Sequence, residues 1–260
     1  MMNRRMFMGT LGGIGMLASS GNAEAAAEKR RIFVLEQYYL KNGTQPGRIH
    51  EHFSKAALPA LNKVHSGPKL FMDALVAPQM PHVAVILGFQ SFDEMWNVHN
   101  KLLADKDLVN SIETWENHAE QPYEHLSITL LEATDYCPEI APDPEPRKTP
   151  RIFELRTYHS PTWRQLKALH ERFAGPEIKI FHRVGVHPIL YTSGVSGQNL
   201  PNLTYVTPFE NLAARETAWN AFGADPEWVK VRKESIDRNG QISSVTQISL
   251  YRATAYSPIR

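Results

Sequence analysis

The sequence predicts an α+β protein made of two copies of one strand-helix-strand-strand-helix-strand unit. Three observations predict it. Blocks of residues recur at a constant offset of 120 positions, hydrophobic periods of two and of 3.6 follow the same order in both halves, and a proline-rich stretch separates the halves.

The repeat is carried by three separate blocks. Arg31-Ile32-Phe33-Val34-Leu35-Glu36-Gln37-Tyr38 matches Arg151-Ile152-Phe153-Glu154-Leu155-Arg156-Thr157-Tyr158 at Arg, Ile, Phe, Leu and Tyr. His50-Glu51-His52-Phe53 matches His170-Glu171-Arg172-Phe173, and Ile128, Leu130, Ala133, Thr134, Tyr136 and Pro138 return as Ile248, Leu250, Ala253, Thr254, Tyr256 and Pro258. One offset shared by three blocks marks a gene duplication, with halves at 30–138 and 151–260. Residues 139–150 between them hold Pro142, Pro144, Pro146 and Pro150, the composition of a semi-rigid linker.

Each element follows from its local pattern. In the second half, 152–159 is rich in aromatic and branched residues and reads as a strand, while Leu166, Leu169 and Phe173 form a helical stripe. Strands are expected over 187–192 and 203–207, joined by a hairpin turn at Gly194-Val195-Ser196-Gly197. A helical region begins near Ala213 and continues past Asp225-Pro226, whose proline suits a first turn, and 245–252 closes the unit. In the first half, Ile49, Phe53 and Leu61 fall on a helix, 70–76 and 83–89 on strands, and Met95, Trp96 and Leu102 on a second helix. This order is the ferredoxin-like split unit, whose sheet carries helices on one face only. The bare face needs a cover, so the two halves are expected to pack as an intramolecular α+β barrel.

Ahead of the first half, Asn3-Arg4-Arg5-Met6-Phe7-Met8, an apolar run over 9–18 and Ala23-Glu24-Ala25 have the order of a twin-arginine-type signal peptide, placed at 1–27. They predict an exported, periplasmic protein. The run is shorter than the about 20 residues a spanning helix needs, so no membrane span is expected in the mature protein.

The 28 Lys plus Arg and 27 Asp plus Glu give a formal charge of +1, which offers no concentrated basic surface for nucleic acid. Cys137 is the single cysteine, so neither an internal disulfide nor a cysteine-pair metal site is expected.

The run 151–158, Phe181-His182-Arg183-Val184-Gly185, Trp219-Asn220-Ala221-Phe222 and Asp225-Pro226-Glu227-Trp228 resemble the NIPSNAP family. The resemblance covers the second half. The first half departs from it, with Glu36-Gln37-Tyr38 in place of the family's Leu-Arg-Thr-Tyr core and no Phe-His-x-x-Gly pattern near His65. What the resemblance implies is the dimeric α+β barrel superfamily fold, which also hosts small monooxygenases, haem enzymes and lactone isomerases; a fold does not transmit a function.

Strand alternation puts Phe153, Leu155 and Thr157 on one face and Glu154, Arg156 and Tyr158 on the other. The apolar set is expected to meet the helices and the polar set to face the barrel interior. There Arg156 can anchor an anionic group with Tyr158 donating a hydrogen bond; the competing role is an internal ion pair with Glu154 or Glu36. Tyr38 repeats Tyr158, His50 and His170 hold equivalent helix positions beside core stripes, and His182 precedes a strand near Gly185. These six, Arg156, Tyr158, His170, His182, Tyr38 and His50, are the ligand-binding candidates, with no catalytic residue or metal ligand assigned. No motif calls for a cofactor, and haem enters only as an expectation from the superfamily.

Binding of a small apolar or amphipathic molecule in a barrel pocket is the expected function. The alternative is a cofactor-free or haem-linked monooxygenase or isomerase with His170 or His182 as base. A third reading has the sheet edges mediating homo-oligomers.

Overall fold

The computed structural model describes residues 31–140, 147 and 149–260; the expected signal at 1–27 and most of the 139–150 linker lie outside the described residues. The first half runs β1 (Ile32–Tyr39), α1 (Gln45–His52), a π-helical turn (Phe53–Ala57), α2 (Leu58–Val64), β2 (Lys69–Val76), β3 (His82–Phe89), α3 (Phe92–Ala104), α4 (Lys106–Glu116) and β4 (His125–Ala133). The second half runs β5 (Ile152–His159), α5 (Trp163–Arg172), a π-helical turn (Phe173–Glu177), α6 (Ile178–Arg183), β6 (Leu190–Ser196), β7 (Asn202–Phe209), α7 (Leu212–Ala224), α8 (Pro226–Asn239) and β8 (Val245–Ala253). Strands β1, β3 and β4 and helix α3 meet their counterparts at the offset of 120 that the sequence repeat sets.

The eight strands close into one barrel in the order β1-β3-β2-β8-β5-β7-β6-β4. Each half contributes four strands in the same relative order. The halves join through the antiparallel pairs β2 with β8 and β4 with β6. Closure therefore consumes the sheet edges within the chain, which corrects the expectation that those edges mediate association.

One expected strand and the turn that follows it shift. β6 begins at Leu190 and runs through Gly194 to Ser196, so His187 precedes it and the hairpin turn lies at Gly197–Pro201, with Gly197 at φ +145°. Within β6, position 194 calls for glycine, because a Cβ there would stand 2.5 Å from Leu200 Cδ2 and 2.8 Å from Asn202 Oδ1. At Asp225-Pro226 the expectation holds. Asp225 Oδ1 accepts from the Glu227 and Trp228 amides, and Pro226 fills the first helical position of α8.

Strands β1, β3, β5 and β7 are buried on both faces, one toward the interior and one toward a helical layer, whereas β4 and β8 leave outward residues such as Ile128 and Ile248 exposed. The interior is filled at one end by Phe33, Leu35, Phe153, Leu155, Leu70, Leu190 and Val206. Outside it, Leu166, Leu169, Phe173, Phe181, Tyr191 and Tyr205 form the helical layer of the second half, and Ile49, Phe53, Phe71, Val83 and Val85 that of the first.

His50 and His170 sit where one half receives the tail of the other. His170 Nδ1 bonds the Tyr136 hydroxyl at 2.8 Å and Nε2 the Ser193 hydroxyl at 2.9 Å. His50 Nδ1 bonds the Tyr256 hydroxyl at 2.9 Å and Nε2 meets Asp73 Oδ1 at 3.0 Å. Each histidine thus reaches across the seam to a tyrosine of the opposite half. Tyr136→Phe and Tyr256→Phe are each expected to lower stability by about 1 kcal/mol, the worth of one such hydrogen bond; urea denaturation of the single and double variants checks this, and no loss in either would remove the seam role.

Candidate functional site

Phe153 and Leu155 point into the barrel, and Glu154, Arg156 and Tyr158 point toward the helices, the reverse of the expected facing. Alternation fixed which residues share a face. It did not decide between two faces that are both buried.

On the helical side Glu154, fully buried, gathers a polar cluster. Arg156 Nε donates to its Oε1 at 2.5 Å, Arg215 donates to Oε2 at 2.6 Å and to Oε1 at 3.1 Å, and the Trp219 indole donates to Oε2 at 2.8 Å. Burial pushes the Glu154 carboxyl up, but the Arg215 and Arg156 guanidiniums and the Trp219 bond outweigh it and hold the group below the usual carboxylate range. Arg156 lies over the Trp219 ring at 3.7 Å and donates to the Tyr158 oxygen at 3.0 Å, which also accepts from Tyr205 at 2.8 Å. The competing role for Arg156, an ion pair with Glu154, is therefore what the structure contains; Glu36 is not its partner.

This cluster belongs to the second half alone. The equivalents of Glu154, Arg156, Arg215 and Trp219 are Val34, Glu36, Met95 and His99. Glu36 accepts from the Tyr38 hydroxyl at 2.6 Å, and burial raises its carboxyl above the usual range. His182 is exposed at the end of α6, stacked on His187 with ring centroids 5.1 Å apart. Of the six candidates, Arg156 and Tyr158 are brought into contact with each other.

Three concavities stand out. A cleft of about 810 Å³ between α1–α2 and α4 is open to solvent, and its Lys55 and Lys63 are already paired with Glu51 and Asp105. A groove of about 780 Å³ runs past His170, Trp163 and Val195. The third is a chamber of about 320 Å³ at one end of the barrel interior, walled by both halves.

The chamber arises from a gradient along the inward faces of β1 and β5. Phe33 and Leu35, like Phe153 and Leu155, are apolar and fill the closed end, whereas the next inward residues, Gln37 and Thr157, are polar and leave the other end open. Ser127 and Thr129 of β4 stand opposite their equivalents Gln247 and Ser249 of β8, so the chamber follows the internal repeat.

On one wall Gln37 and His82 are linked through Tyr251, which lies buried behind them. Gln37 Nε2 donates to the Tyr251 hydroxyl at 3.2 Å, that hydroxyl meets His82 Nε2 at 2.9 Å, and His82 Nδ1 lies 2.7 Å from the Gln79 carbonyl. A carbonyl accepts only, so Nδ1 carries the proton and Nε2 accepts from Tyr251. Burial lowers the His82 pKa, with the Gln79 carbonyl opposing, and burial pushes the Tyr251 phenol up to about 12. Both are neutral near pH 7. None of Gln37, His82, Thr157 or Tyr251 was singled out from sequence for this role; the one available signal was the polar residue following Leu35 and Leu155 on the inward alternation.

Among the described residues no group of three or more His, Cys, Asp or Glu is arranged to hold a metal ion, and no helix is long and apolar enough to cross a membrane.

Residues 153–258 match the family model for NIPSNAP. No curated protein sequence matches the chain. Among solved structures, a protein of provisional monooxygenase assignment from Fusobacterium nucleatum subsp. nucleatum is 12% identical with a TM-score of 0.54, over 86% of this chain and 92% of that one. An anthrone oxidase-like protein is 13% identical with a TM-score of 0.52, over 88% and 93% of the two chains. A provisionally assigned chlorite dismutase is 12% identical with a TM-score of 0.51, over 88% and 96%. At these identities the likeness is one of fold.

Proposed function

We propose, from the premise that residues 153–258 form a NIPSNAP domain within an eight-stranded α+β barrel, that this protein binds one small amphipathic molecule in the chamber at the open end of the barrel. The observation that carries the reading is the chamber itself, a concavity of about 320 Å³ with an apolar floor at Leu35 and Leu155 and polar walls from both halves. The Arg156 cluster supports this placement by contrast. Arg156 Nε and Nη1 donate to Glu154 and Tyr158, and Phe173, Tyr205 and Trp219 fill the layer around it, so it serves as a rigid buttress on the outer face of β5.

The provisional monooxygenase and the anthrone oxidase-like protein of the same fold suggest oxygenation as the second reading. In a cofactor-free form of that chemistry a base must reach the substrate, and the chamber offers His82 and His125; the Nε2 of His82 is occupied by Tyr251 and His125 is exposed at the rim, stacked on Tyr39, which favours binding over proton abstraction. Haem, which the superfamily resemblance implies as possible, would need an axial histidine other than three that are already engaged. Both ring nitrogens of His50, His82 and His170 are engaged, and the sheet–helix layer beside Arg156 is packed with side chains.

Export belongs to the same proposal, since Arg4-Arg5 with Phe7 has the twin-arginine pattern. Replacing both arginines by lysine is expected to leave precursor in the cytoplasm, as read by fractionation; undiminished export of the variant would reject it.

Gln247, exposed at the rim, offers the test of the binding reading. Native mass spectrometry of protein taken from its natural compartment is expected to show one small molecule bound, and Gln247→Trp, which covers the mouth without touching the core, is expected to lack it. A ligand retained by Gln247→Trp would place binding elsewhere.

A further inference from the structure

The chamber lining contains no Asp, Glu, Lys or Arg. An ionic ligand would lose its hydration there without gaining a counter-charge, a cost that binding seldom recovers. Of the two histidines of the lining, His82 is neutral and protonated at Nδ1, and His125 is exposed at the rim, stacked on Tyr39. A wholly apolar ligand is disfavoured for the opposite reason. It would take water from the amides and hydroxyls of Gln37, Thr157, Ser127 and Ser249 and return no hydrogen bonds.

A hydroxyl group both donates and accepts, as do the Ser, Thr and Gln side chains that make up these walls. At roughly 30 Å³ per water, the chamber has the volume of about ten waters, which limits a guest to about ten to twelve non-hydrogen atoms.

The walls follow the repeat in position but not in chemistry. Gln37 faces its equivalent Thr157, His82 faces Asn202, and Tyr251 stands where the first half has Leu131. The Gln37-Tyr251-His82 chain therefore occupies one side only. Two-fold related orientations of a guest are chemically different, so the chamber selects one.

We propose that the chamber takes a single uncharged, multiply hydroxylated ring or chain of monosaccharide size, oriented on one side by Gln37, which the Tyr251 hydroxyl and His82 hold in place, and on the other by Thr157 and Ser249. This rests on the chamber being the binding site. Because the walls come from β1, β3, β4, β5, β7 and β8, the site exists only when both halves are joined.

Isothermal titration of the full chain with three probes of one ring size tests it: myo-inositol, cyclohexanol and cyclohexanecarboxylate. myo-Inositol is expected to bind at least tenfold more tightly than either of the others. Thr157→Val, which removes one hydroxyl at constant shape, and Gln37→Leu are each expected to weaken myo-inositol at least tenfold, with unchanged circular dichroism, and Gln247→Trp to abolish its binding. Tighter binding of cyclohexanol or cyclohexanecarboxylate, itself abolished by Gln247→Trp, would overturn the hydroxylated class and leave the chamber as the site. Absence of binding for all three probes, or binding that Gln247→Trp does not touch, would overturn the chamber reading with it.

Discussion

Glu154→Gln is expected to lower stability by about 3 to 5 kcal/mol, because it removes the one buried carboxylate that two largely covered guanidiniums share. The Glu154 side chain is fully buried, and those of Arg156 and Arg215 are 13% and 24% exposed, so neither cation can turn out to water without unpacking Trp219. Arg156→Ala is expected to cost less. Glu154 would keep both bonds from Arg215 and the bond from Trp219, and the stranded partners would be the Tyr158 and Tyr205 hydroxyls, which still bond each other. For a chain of this size the Glu154→Gln loss corresponds to a Tm lower by about 10 °C. Urea denaturation of the two variants measures the order directly; a costlier Arg156→Ala would mean that the arginine, not the carboxylate, organises the cluster.

Between about pH 4.5 and 7 the protein is expected to lose about 3 kcal/mol of stability through Glu177, the second large effect. Glu177 is 1% exposed in the π-helical turn after α5, and burial raises its carboxyl to about 7 although Arg172 Nε donates to it at 2.6 Å and opposes the shift. A carboxyl whose pKa rises on folding binds its proton more tightly in the native state. Its contribution is therefore complete below the unfolded value near 4.5 and is lost as pH climbs through 7. Glu154 acts with the opposite sign and in a lower window, since its folded value lies below the unfolded one: its contribution is present above about 4.5 and disappears on acidification. Denaturant midpoints of the wild type and Glu177→Gln at pH 5, 6, 7 and 8 separate the two. The variant is expected to be nearly flat where the wild type declines, and parallel slopes would show that Glu177 stays ionised throughout.

Arg172 and Glu177 are also an instance of how the halves diverged. Their equivalents His52 and Ala57 cannot make the pair, and His52 instead stacks on Trp115 with centroids 4.2 Å apart. The divergence follows the family resemblance, which covers the second half and thins in the first. Both halves still build the same unit because the repeated apolar positions, Phe33 with Phe153 and Phe53 with Phe173, are those that fill the interior and the helical layers.

Much of the architecture was legible in local patterns. The strand expected at 152–159 is β5, and the repeated blocks fall on β1, α1, β4 and their equivalents. The candidate site was not legible to the same degree. Arg156 and Tyr158 are neighbours on one strand and were found as such, whereas the chamber walls come from six strands and pair residues such as Gln37 and Tyr251 across most of the chain. No spacing rule links them.

By itself the sequence determined the unit, its duplication and the order of its elements, because periodicity and capping are set by residues adjacent along the chain. Tertiary structure decided which face of β5 looks inward and which edges join. The facing of β5 was undetermined because the strand is buried on both sides, so its apolar set and its polar set each find cover whichever way it faces. The closure of β2 on β8 and of β4 on β6 was undetermined because edge pairing is made by backbone N–H and C=O groups that every residue but proline presents alike. That closure also made the chamber. Only when the ring is complete do Gln37 and Thr157, 120 positions apart, become opposite walls of one cavity.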